Sequence, residues 1–402
     1  MTIHVKSESA TPANDWDRRG LPAWTYHSQA LLDLELDQIL LGHWQIVGHV
    51  NDVPKPGDYI SFDLGPERAF VLRQQDGSLR AFHNLCRHRG SRIVTKESGH
   101  CKNALVCPFH GWVYNFDGTL RGAARPDSFA DLDKHKFGLK PVELEVWMGF
   151  IFIRFKPGSQ ASVAETLAPY AAEIGSHLPE TMVPTGKIWN GEIPVNWKSV
   201  RDVDNEGYHV AMAHPALQDL YGYTYRDMAY GPRLRVSKGT YKEGAGRMWS
   251  VRNYVKASTP HPALPEERRK LWAYYGIFPN AVIITTPETV QFYQELPIDV
   301  GRSIIRGMIY SYPEESRQQK LARYLSYRID RATYEEDTQL AIWSNESMKS
   351  SAFDNFHLSD HERFLRAHHD DLRRLLPIMR LDEAPPAERM ADVNAALQAE
   401  QD

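Results

Sequence analysis

Two pairs of cysteine and histidine constrain the fold of this chain more than any other feature of its sequence. The first pair lies in CRH, residues 86–88, and after eighteen further residues the second lies in CPFH, residues 107–110. Common zinc fingers pair cysteine with cysteine and histidine with histidine, so this order argues against one. The pattern instead fits a [2Fe–2S] cluster in which two thiolates hold one iron and two imidazoles hold the other.

The sequence around both pairs supports this interpretation. Each pair follows a short β-rich run, and a glycine follows each pair, in Arg89-Gly90 and in Gly111-Trp112. Glycines at these positions let the backbone approach the cluster sulfides and donate N–H bonds to them. Two alternatives remain open, a zinc knuckle and buried cysteines with incidental histidines. Cys101 has no partner at ligand spacing, and we expect it to be a buried or loop thiol.

The string CRHRG…CPFHGWVYNFDG resembles the cluster-binding motif of the α-subunits of Rieske non-haem iron aromatic-ring-hydroxylating oxygenases. The resemblance covers residues 40–155 and, more weakly, the rest of the chain. It implies an α+β protein with an N-terminal all-β Rieske domain and a C-terminal helix-grip catalytic domain, which is an antiparallel sheet with a long helix. It also implies a mononuclear Fe(II) in the second domain and a Rieske cluster bound by Cys86, His88, Cys107 and His110.

Composition limits the remaining possibilities. The chain has 402 residues, of which 42% are hydrophobic and 24% charged, and its formal net charge is −4. This balance predicts a soluble globular protein and argues against nucleic acid or a membrane as a partner. No apolar stretch reaches the ~18 residues of a membrane span, and the first residues lack the apolar core of a signal peptide. With only three cysteines, we expect a cytoplasmic protein without disulfides.

Changes of pattern along the chain predict four segments. We expect an N-terminal arm and helix over residues 1–42, with the helix itself over 25–42. The Rieske domain would occupy residues 43–156, where short β runs alternate with turn signals. The catalytic domain would occupy residues 157–380 and begin with a polar, partly helical connector. A tail over residues 381–402 is rich in Ala and Glu and is expected to fray.

Strands and helices are also predicted within the catalytic domain. A capping box, Ser359-Asp360-His361-Glu362, is expected to begin the last long helix. The predicted strands cover residues 187–194, 234–242, 247–254, 280–287, 289–297 and 302–312, and the predicted helices cover residues 196–214, 314–350 and 359–376.

A second metal constellation lies in NWKSVRDVDNEGYHVAMAHP, residues 196–215. Glu206 and His209 are one turn apart on a helix and are therefore neighbours, whereas His214 is rotated further round. Both imidazoles can bind one ion only if the helix ends or distorts near His214, which the following Pro215 favours. Two imidazoles and one carboxylate form the facial triad of non-haem Fe(II) oxygenases, which leaves positions open for O₂.

The Rieske oxygenase resemblance extends to this segment. The family carries Asn-Trp-Lys, an acidic residue three positions before the first histidine, and His-x₄-His, and the chain matches at residues 196–198, at Glu206 and at both histidines. The resemblance implies that Glu206 is catalytic as a bridge from an iron-ligand histidine to a Rieske histidine of a neighbouring subunit. Asp202 and Asp204 are rival carboxylates, because the sequence just before Glu206 departs from the family pattern. The alternative is that both histidines are ordinary helix-surface residues.

The third ligand must be a distant carboxylate. The family uses an aspartate on a late helix, often in Glu-Asp-x-x-Leu/Val, and residues 336–340, EDTQL, fit this pattern. We therefore predict Asp337 as the metal ligand, with Glu336 as the next candidate. The alternative is a solvated acidic helix face without a metal.

Oxygen activation at such an iron centre needs electrons from outside the chain. No dinucleotide-binding fingerprint is present, since the isolated Gly244-Ala245-Gly246 lacks the required spacing. NAD(P)H and flavin are therefore expected only on a separate partner reductase of the ferredoxin or flavin type. The resemblance implies electron transfer between adjacent subunits of a ring, and hence a homotrimer or a multiple of three with head-to-tail contacts.

The sequence predicts the substrate only as a class of small molecule. Glutamate rather than aspartate at position 206 resembles the branch that oxidises N-methyl or quaternary ammonium compounds, such as carnitine and betaine oxygenases, where aromatic side chains could hold the cation. The alternative is mono- or dioxygenation of an aromatic ring or aromatic carboxylate, which Arg247 or Arg252 in the pocket would favour. An electron carrier with an inactive second site is a third possibility. Candidate pocket aromatics are Trp249, Tyr254, Trp272, Tyr275, Phe278, Phe292 and Trp343.

Overall fold

The structure, a computed structural model, describes residues 16–130, 132–157, 160–231, 233–244 and 246–400. Most of the predicted N-terminal arm lies outside these residues. The chain forms two compact units. We call Leu40–Thr166 the β unit, and the chain up to Ile39 together with Leu167 onwards the mixed unit. Among the described residues, no helix has both the length and the apolar character needed to cross a membrane.

The N-terminal helix is shorter than the predicted range of residues 25–42. The α-helix α1 spans Gln29–Glu35 and continues as one π-helical turn, Leu36–Leu40. It begins where it does because the Ser28 hydroxyl accepts a hydrogen bond from the backbone N–H of Leu31 at 3.2 Å. A side-chain cap of this kind satisfies a backbone N–H that has no partner within the helix.

The β unit is an antiparallel all-β structure, as the resemblance predicted. Its strands are β1 (Gln45–His49), β2 (Asp58–Leu64), β3 (Glu67–Arg73), β4 (Leu79–His83), β5 (Ser98–His100), β6 (Leu105–Val106), β7 (Val113–Tyr114), β8 (Leu120–Gly122), β9 (Pro141–Trp147) and β10 (Phe150–Arg154), and its one short α-helix is α2 (Val163–Thr166). Seven strands form a sheet in the order β1-β10-β9-β4-β3-β2-β5, and β6, β7 and β8 form a second sheet. The buried cluster around Phe70, Trp112 and Tyr114 also contains Cys86 and Cys107, so the predicted cluster loops are anchored in this core.

The mixed unit is built on one antiparallel sheet in the order β11-β18-β17-β16-β15-β14-β13, with β12 also paired to β18. Its strands are β11 (Val183–Pro184), β12 (Trp189–Ile193), β13 (Arg226–Gly231), β14 (Leu234–Thr240), β15 (Leu271–Ile277), β16 (Ala281–Thr285), β17 (Thr289–Asp299) and β18 (Arg302–Ser311). Its further α-helices are α3 (Ala171–Gly175), α4 (Trp197–Asp204), α5 (Val210–Ala213), α6 (Pro215–Tyr221), α7 (Trp249–Ala257), α8 (Arg317–Ser347), α9 (Arg363–Leu375) and α10 (Met390–Ala399).

The long helix α8 packs on this sheet, which confirms the predicted helix-grip architecture. Its 31 residues begin at a capping box in which the Ser316 hydroxyl and the Gln319 side chain each accept a hydrogen bond from the other residue's backbone N–H. Leu325 and Ile329 on α8 belong to the same buried cluster as Trp272 on β15. This packing fixes the rotation of α8, and therefore which of its side chains point towards the sheet.

The sequence predictions for residues 247–254 and for the C-terminal tail are wrong. The run 247–254 is predicted as a strand, but α7 begins within it at Trp249, and its buried Val251 and Tyr254 lie one helical turn apart. The tail expected to fray from residue 381 instead carries α10, where Met390 and Asn394 are buried. Asn394 holds this helix in place because its side-chain oxygen accepts a hydrogen bond from the backbone N–H of Ile378 at 3.3 Å.

Candidate functional site

The two cysteine–histidine loops of the β unit have the same backbone design. In the first loop, the Cys86 N–H donates to the Ser91 carbonyl at 2.7 Å, and the Gly90 N–H donates back to the Cys86 carbonyl at 3.0 Å. The second loop repeats both bonds at 2.8 and 3.0 Å, from Cys107 to Trp112 and from Gly111 to Cys107. Glycine is needed at both turns because φ is positive there, at 72° and 67°.

The two thiols are buried and one has a hydroxyl partner that the sequence did not reveal. Cys86 and Cys107 are each 2% exposed. The Tyr114 hydroxyl accepts a hydrogen bond from the Arg87 backbone N–H at 3.0 Å and lies 3.3 Å from the Cys86 sulfur, to which it can donate. Burial raises the pKa of Cys86, and a bound cation is what would favour the thiolate at such a buried site.

The two histidines of these loops lie side by side. The rings of His88 and His110 have centroids 4.6 Å apart, and His88 also stacks on Trp112 at 5.2 Å with nearly parallel planes. The buried Nδ1 atom of His88 has no hydrogen-bond partner among the described residues. A buried imidazole nitrogen without a partner is unusual for a purely structural histidine. Two thiolates and two imidazoles therefore form a donor set that fits a [2Fe–2S] cluster with mixed ligands.

In the mixed unit, the prediction of a single helix over residues 196–214 is wrong, because this segment is broken into two helices, α4 and α5, and α6 begins only at Pro215. The Glu206 side chain causes one break by accepting hydrogen bonds from the backbone N–H groups of Tyr208 and His209, at 2.5 and 3.1 Å. His214 lies outside helical geometry, with φ −115° and ψ 82°, between α5 and Pro215. The distortion near His214 that one shared ion would require is therefore present.

These breaks bring two histidines of one segment together with an aspartate that is distant in the sequence. The Nε2 atoms of His209 and His214 lie 3.0 Å apart, and the Asp337 Oδ1 atom lies 2.9 Å from the Nε2 of His214 and 3.4 Å from that of His209. Three ligand atoms about 2.1 Å from one ion and at right angles to each other would lie about 3.0 Å apart. The arrangement thus fits one face of a six-coordinate metal.

Two further carboxylates fix the orientation of both imidazoles. The Nδ1 of His209 bonds to the Oε1 of Glu206, and the Nδ1 of His214 bonds to the Oε2 of Glu336 at 2.8 Å. A neutral imidazole has only one N–H, and a carboxylate can only accept. In the neutral form that binds a metal, each ring therefore keeps its proton on Nδ1, and the two Nε2 lone pairs converge on the same point, which favours a cation there.

The electrostatics of this site agree with the geometry. Burial lowers the pKa of His209, but hydrogen bonds with Asp337 and Glu206 more than compensate and raise it to about 10. Burial would raise the pKa of Asp337, but its contacts with the two histidines lower it. The site therefore favours positive charge between these groups, which a metal cation would supply in place of protons.

The two rival carboxylates, Asp202 and Asp204, bond to other partners than His209. Asp202 accepts hydrogen bonds from the Tyr26 hydroxyl at 2.5 Å and from His369 at 2.8 Å. Asp204 pairs with Arg201 on the same helix. Of these three carboxylates, Glu206 is the one that bonds to His209. Glu206 therefore occupies the position that the family resemblance assigns to the bridging carboxylate.

Asp227 supports this turn and was not found from the sequence. Its Oδ2 accepts a hydrogen bond from the backbone N–H of Gly207 at 2.8 Å, and its Oδ1 accepts one from the Ser237 hydroxyl at 2.6 Å. Burial, aided by the nearby charge of Glu206, raises the pKa of Asp227 to about 6. No spacing signal links Asp227 to the histidine segment, since β13 is brought there by the sheet.

A cavity of about 170 Å³ opens onto the three metal-type ligands. None of the seven aromatic residues predicted from the sequence to line it is in its wall. The aromatic side chains that line the cavity are Trp189, Tyr225, Tyr274, Tyr293, Tyr334 and Phe364.

The arginines proposed from the sequence are not in the wall either. Arg247 and Arg252 do not line the cavity, whereas Arg201 and Arg235 do. Both lining arginines have carboxylate partners, Arg201 with Asp204 and Arg235 with Asp371. Neither arginine is left with an unbalanced positive charge towards the cavity.

An all-β unit with two cysteine–histidine loops, together with an antiparallel sheet that grips a long helix, is the architecture of an oxygenase with a Rieske domain. Residues 43–135 match the family model of the Rieske [2Fe-2S] domain, and residues 180–378 match that of the ring hydroxylating alpha subunit (catalytic domain). The chain belongs to the family of Rieske non-haem iron oxygenases. Its cofactors are accordingly a [2Fe–2S] cluster and a mononuclear iron.

Similar proteins include two kinds of oxygenase subunit. The chain is 32% identical over 211 residues to the carnitine monooxygenase oxygenase subunit of Escherichia coli K12, a match covering 52% of this chain and 55% of that protein. It is also 32% identical over 203 residues to the glycine betaine monooxygenase oxygenase subunit of Pseudomonas aeruginosa UCBPP-PA14, covering 49% of this chain and 45% of that protein. The chain thus spans about half the length of the curated relatives it matches.

Solved structures share the fold over most of the chain. The quaternary ammonium Rieske monooxygenase CntA, in complex with an inhibitor, superimposes with a TM-score of 0.75 at 22% identity, covering 89% of this chain and 95% of that one. Naphthalene 1,2-dioxygenase with bound indole gives a TM-score of 0.70 at 18% identity, covering 94% and 96%. At these identities the likeness establishes the fold alone.

Proposed function

We propose that this chain is the terminal oxygenase component of a Rieske oxygenase system, which uses O₂ to hydroxylate or demethylate a small organic substrate. In this proposal Cys86, His88, Cys107 and His110 hold the cluster, and His209, His214 and Asp337 hold the iron. The observation that carries it is the convergence of the His209 Nε2, His214 Nε2 and Asp337 Oδ1 atoms within 2.9–3.4 Å of one another. An electron carrier with an inactive second site would not need three ligand atoms arranged to bind a metal.

The surrounding residues have distinct tasks. The iron, when bound, supplies the coordination positions at which O₂ is activated. Glu206 and Glu336 keep the proton on Nδ1 of each ligand histidine and so leave both Nε2 atoms free to bind. The aromatic wall of the cavity excludes water and shapes the space beside the ligands.

Electrons would come from a separate NAD(P)H-dependent reductase of the ferredoxin or flavin type, and Glu206 would couple the cluster of one subunit to His209 of its neighbour. Its position supports this, since Glu206 bonds directly to the Nδ1 of His209. A homotrimer with head-to-tail contacts would provide the neighbouring subunit. For CntA, a solved structure is described as revealing inter-subunit electron transfer.

For the substrate, we favour an N-methyl or quaternary ammonium compound. The similar oxygenase subunits are those of carnitine and glycine betaine monooxygenases. The cavity supports a cation, because six aromatic residues line it and both of its arginines are paired with carboxylates. An aromatic carboxylate, the alternative, would need an arginine free to pair with it, and neither lining arginine is free.

The test combines metal analysis with an uncoupling screen. We expect about three irons per chain for the enzyme, against about two for a carrier that holds the cluster alone. After anaerobic reduction, O₂ consumption is measured with a panel of N-methyl cations and aromatic acids. Oxidation of panel members by the wild type and its loss in His209→Ala, with the cluster spectrum intact, would support the proposal. Two irons per chain, or turnover that survives in His209→Ala, would refute it.

A further inference from the structure

The cavity contains a carboxylate whose task is not explained by metal binding. Helix α8 presents Asp330, Thr333, Tyr334, Asp337, Thr338 and Ala341 to the cavity, at the spacings of three and four residues that define one helix face. Asp337 lies at the histidines. Asp330 lies seven residues earlier, which is two helical turns and about 10 Å along the helix axis. The two carboxylates therefore lie on the same wall, about 10 Å apart.

Among the described residues, Asp330 has one hydrogen-bond partner and no cationic one. Its Oδ2 accepts a hydrogen bond from the Gln291 side-chain amide at 3.0 Å. Within the described part of the chain, no Lys, Arg or His nitrogen lies within 4.0 Å of its carboxylate. The basic residues beside it on α8 face away, since Arg328 lies over the Trp249 ring and Arg331 pairs with Glu335. A carboxylate removed from bulk water without a countercharge is costly, so it is rarely retained without a use.

Two tyrosines are near enough to Asp330 to be affected by its charge. Tyr274 on β15 lines the cavity, and its hydroxyl lies 3.0 Å from that of Tyr221 on α6. Burial and the nearby charge of Asp330 raise the pKa of Tyr274 well above its usual value, and burial raises the pKa of Asp330 itself to about 7. This end of the cavity thus combines a carboxylate, an amide and an aromatic face, which are the groups that bind an organic ammonium.

We propose that Asp330 binds an ammonium group of the substrate and so places the opposite end of the molecule at His209, His214 and Asp337. The inference rests on the proposed function, because it takes the cavity as the substrate site, and it adds the residue that selects the cation. It also sets an orientation. The oxidised carbon is separated from the bound ammonium by several bonds, and an N-methyl group at the iron end belongs to a second nitrogen.

The first test measures binding of n-butylammonium and of its neutral analogue 1-butanol to the anaerobic holoenzyme by calorimetry at pH 8. We expect Asp330→Asn to weaken n-butylammonium binding about 10-fold or more, because a charge-assisted contact is lost, while 1-butanol binding stays unchanged. Glu335→Gln is the matched control, since it removes one charge from the same helix on its exposed face, and it should bind as the wild type does. Equal n-butylammonium affinity in Asp330→Asn and the wild type would overturn the proposal.

A second test needs no variant and so does not depend on whether Asp330→Asn folds. A carboxyl with a pKa of about 7 is mostly protonated at pH 6 and mostly ionised at pH 8, whereas an alkylammonium stays protonated throughout. The wild-type affinity for n-butylammonium should therefore fall about 10-fold from pH 8 to pH 6. Tyr221 and Tyr274, whose pKa values the charge of Asp330 helps to raise, do not ionise in this range. An affinity independent of pH would contradict the assignment.

The orientation has its own readout. With iron bound, paramagnetic relaxation of the n-butylammonium protons falls steeply with distance from the metal. We expect faster relaxation of the terminal methyl group than of the CH₂ next to nitrogen. Faster relaxation of the CH₂ next to nitrogen than of the methyl group would overturn the orientation. Even then, three irons per chain and O₂ consumption with other substrates would still support the oxygenase proposal.

Discussion

Glu336 is the residue whose replacement tests the histidine geometry most directly. Its carboxylate accepts a hydrogen bond from the Nδ1 of His214 at 2.8 Å and does not reach the point where the two Nε2 atoms converge. It was the second candidate for a metal ligand in the sequence analysis. The structure instead makes it the group that holds the proton on Nδ1 of His214.

The size of the effect follows from this contact. Glu336→Gln keeps an acceptor oxygen but loses its charge, which costs about 1 kcal/mol, the difference between a charge-assisted and a neutral hydrogen bond. The Glu336 side chain is 34% exposed, so solvent screening keeps the loss near this value. We expect the Kd for Fe(II) to rise about 5- to 10-fold in Glu336→Gln. In Glu336→Leu, which has no acceptor, we expect a rise of about 10- to 100-fold.

The assay is anaerobic competition for Fe(II) against a chromophoric chelator, using protein in which the iron–sulfur cluster is intact by its visible and EPR spectra. Glu335→Gln is the control, because Glu335 is 61% exposed and pairs with Arg331, and it should not change the Kd. A wild-type Kd in Glu336→Leu would refute the reasoning. So would a loss as large as that of a ligand variant, since Glu336 would then bind the metal itself.

Three further predictions concern the two centres. Asp337→Asn should reduce the iron content from about three to about two per chain, because one of the three iron ligands loses its charge; a full complement by metal analysis would contradict its role. Glu206→Gln should leave both centres occupied and slow reduction of the iron by the cluster in a single turnover, and a normal rate would count against the bridge. Tyr114→Phe should lower the reduction potential of the cluster by roughly 20–60 mV, because a hydrogen bond to the Cys86 sulfur favours the more negative reduced state; voltammetry that shows no change would mean that the hydroxyl does not reach the sulfur.

Much of the candidate site could be predicted because its residues occur in short, spaced motifs. The residues of CRH and CPFH are neighbours in the sequence, so their loops could be recognised without knowing the fold. The same holds for Glu206, His209 and His214, which lie within nine residues. Asp337 is separated from His214 by more than a hundred residues, and only the family resemblance pointed to it.

The rest of the site depends on how helices and strands pack. Asp227 reaches the turn at Gly207, and Tyr274 lines the cavity, because β13 and β15 are strands of the same sheet, and neither strand was predicted from the sequence. The run 247–254 was predicted as a strand, whereas its buried positions follow a helical spacing. Because α7 was predicted as a strand and β13 and β15 were not predicted, the sequence could not show which aromatic residues face the cavity.

Helix α8 shows why position around a helix decides function here. Each residue turns the side chain by about 100°, so three consecutive acidic residues face three environments. Glu335 is exposed to solvent, and Glu336 bonds to the Nδ1 of His214. Asp337 contacts the Nε2 atoms of both His209 and His214. Asp330 lies two helical turns before Asp337 and therefore on the same face of α8. It lines the same cavity, but it does not contact either histidine. A shift of α8 by one residue would exchange these roles, which is why the packing of Leu325 and Ile329 against Trp272 is as important to the chemistry as the ligands themselves.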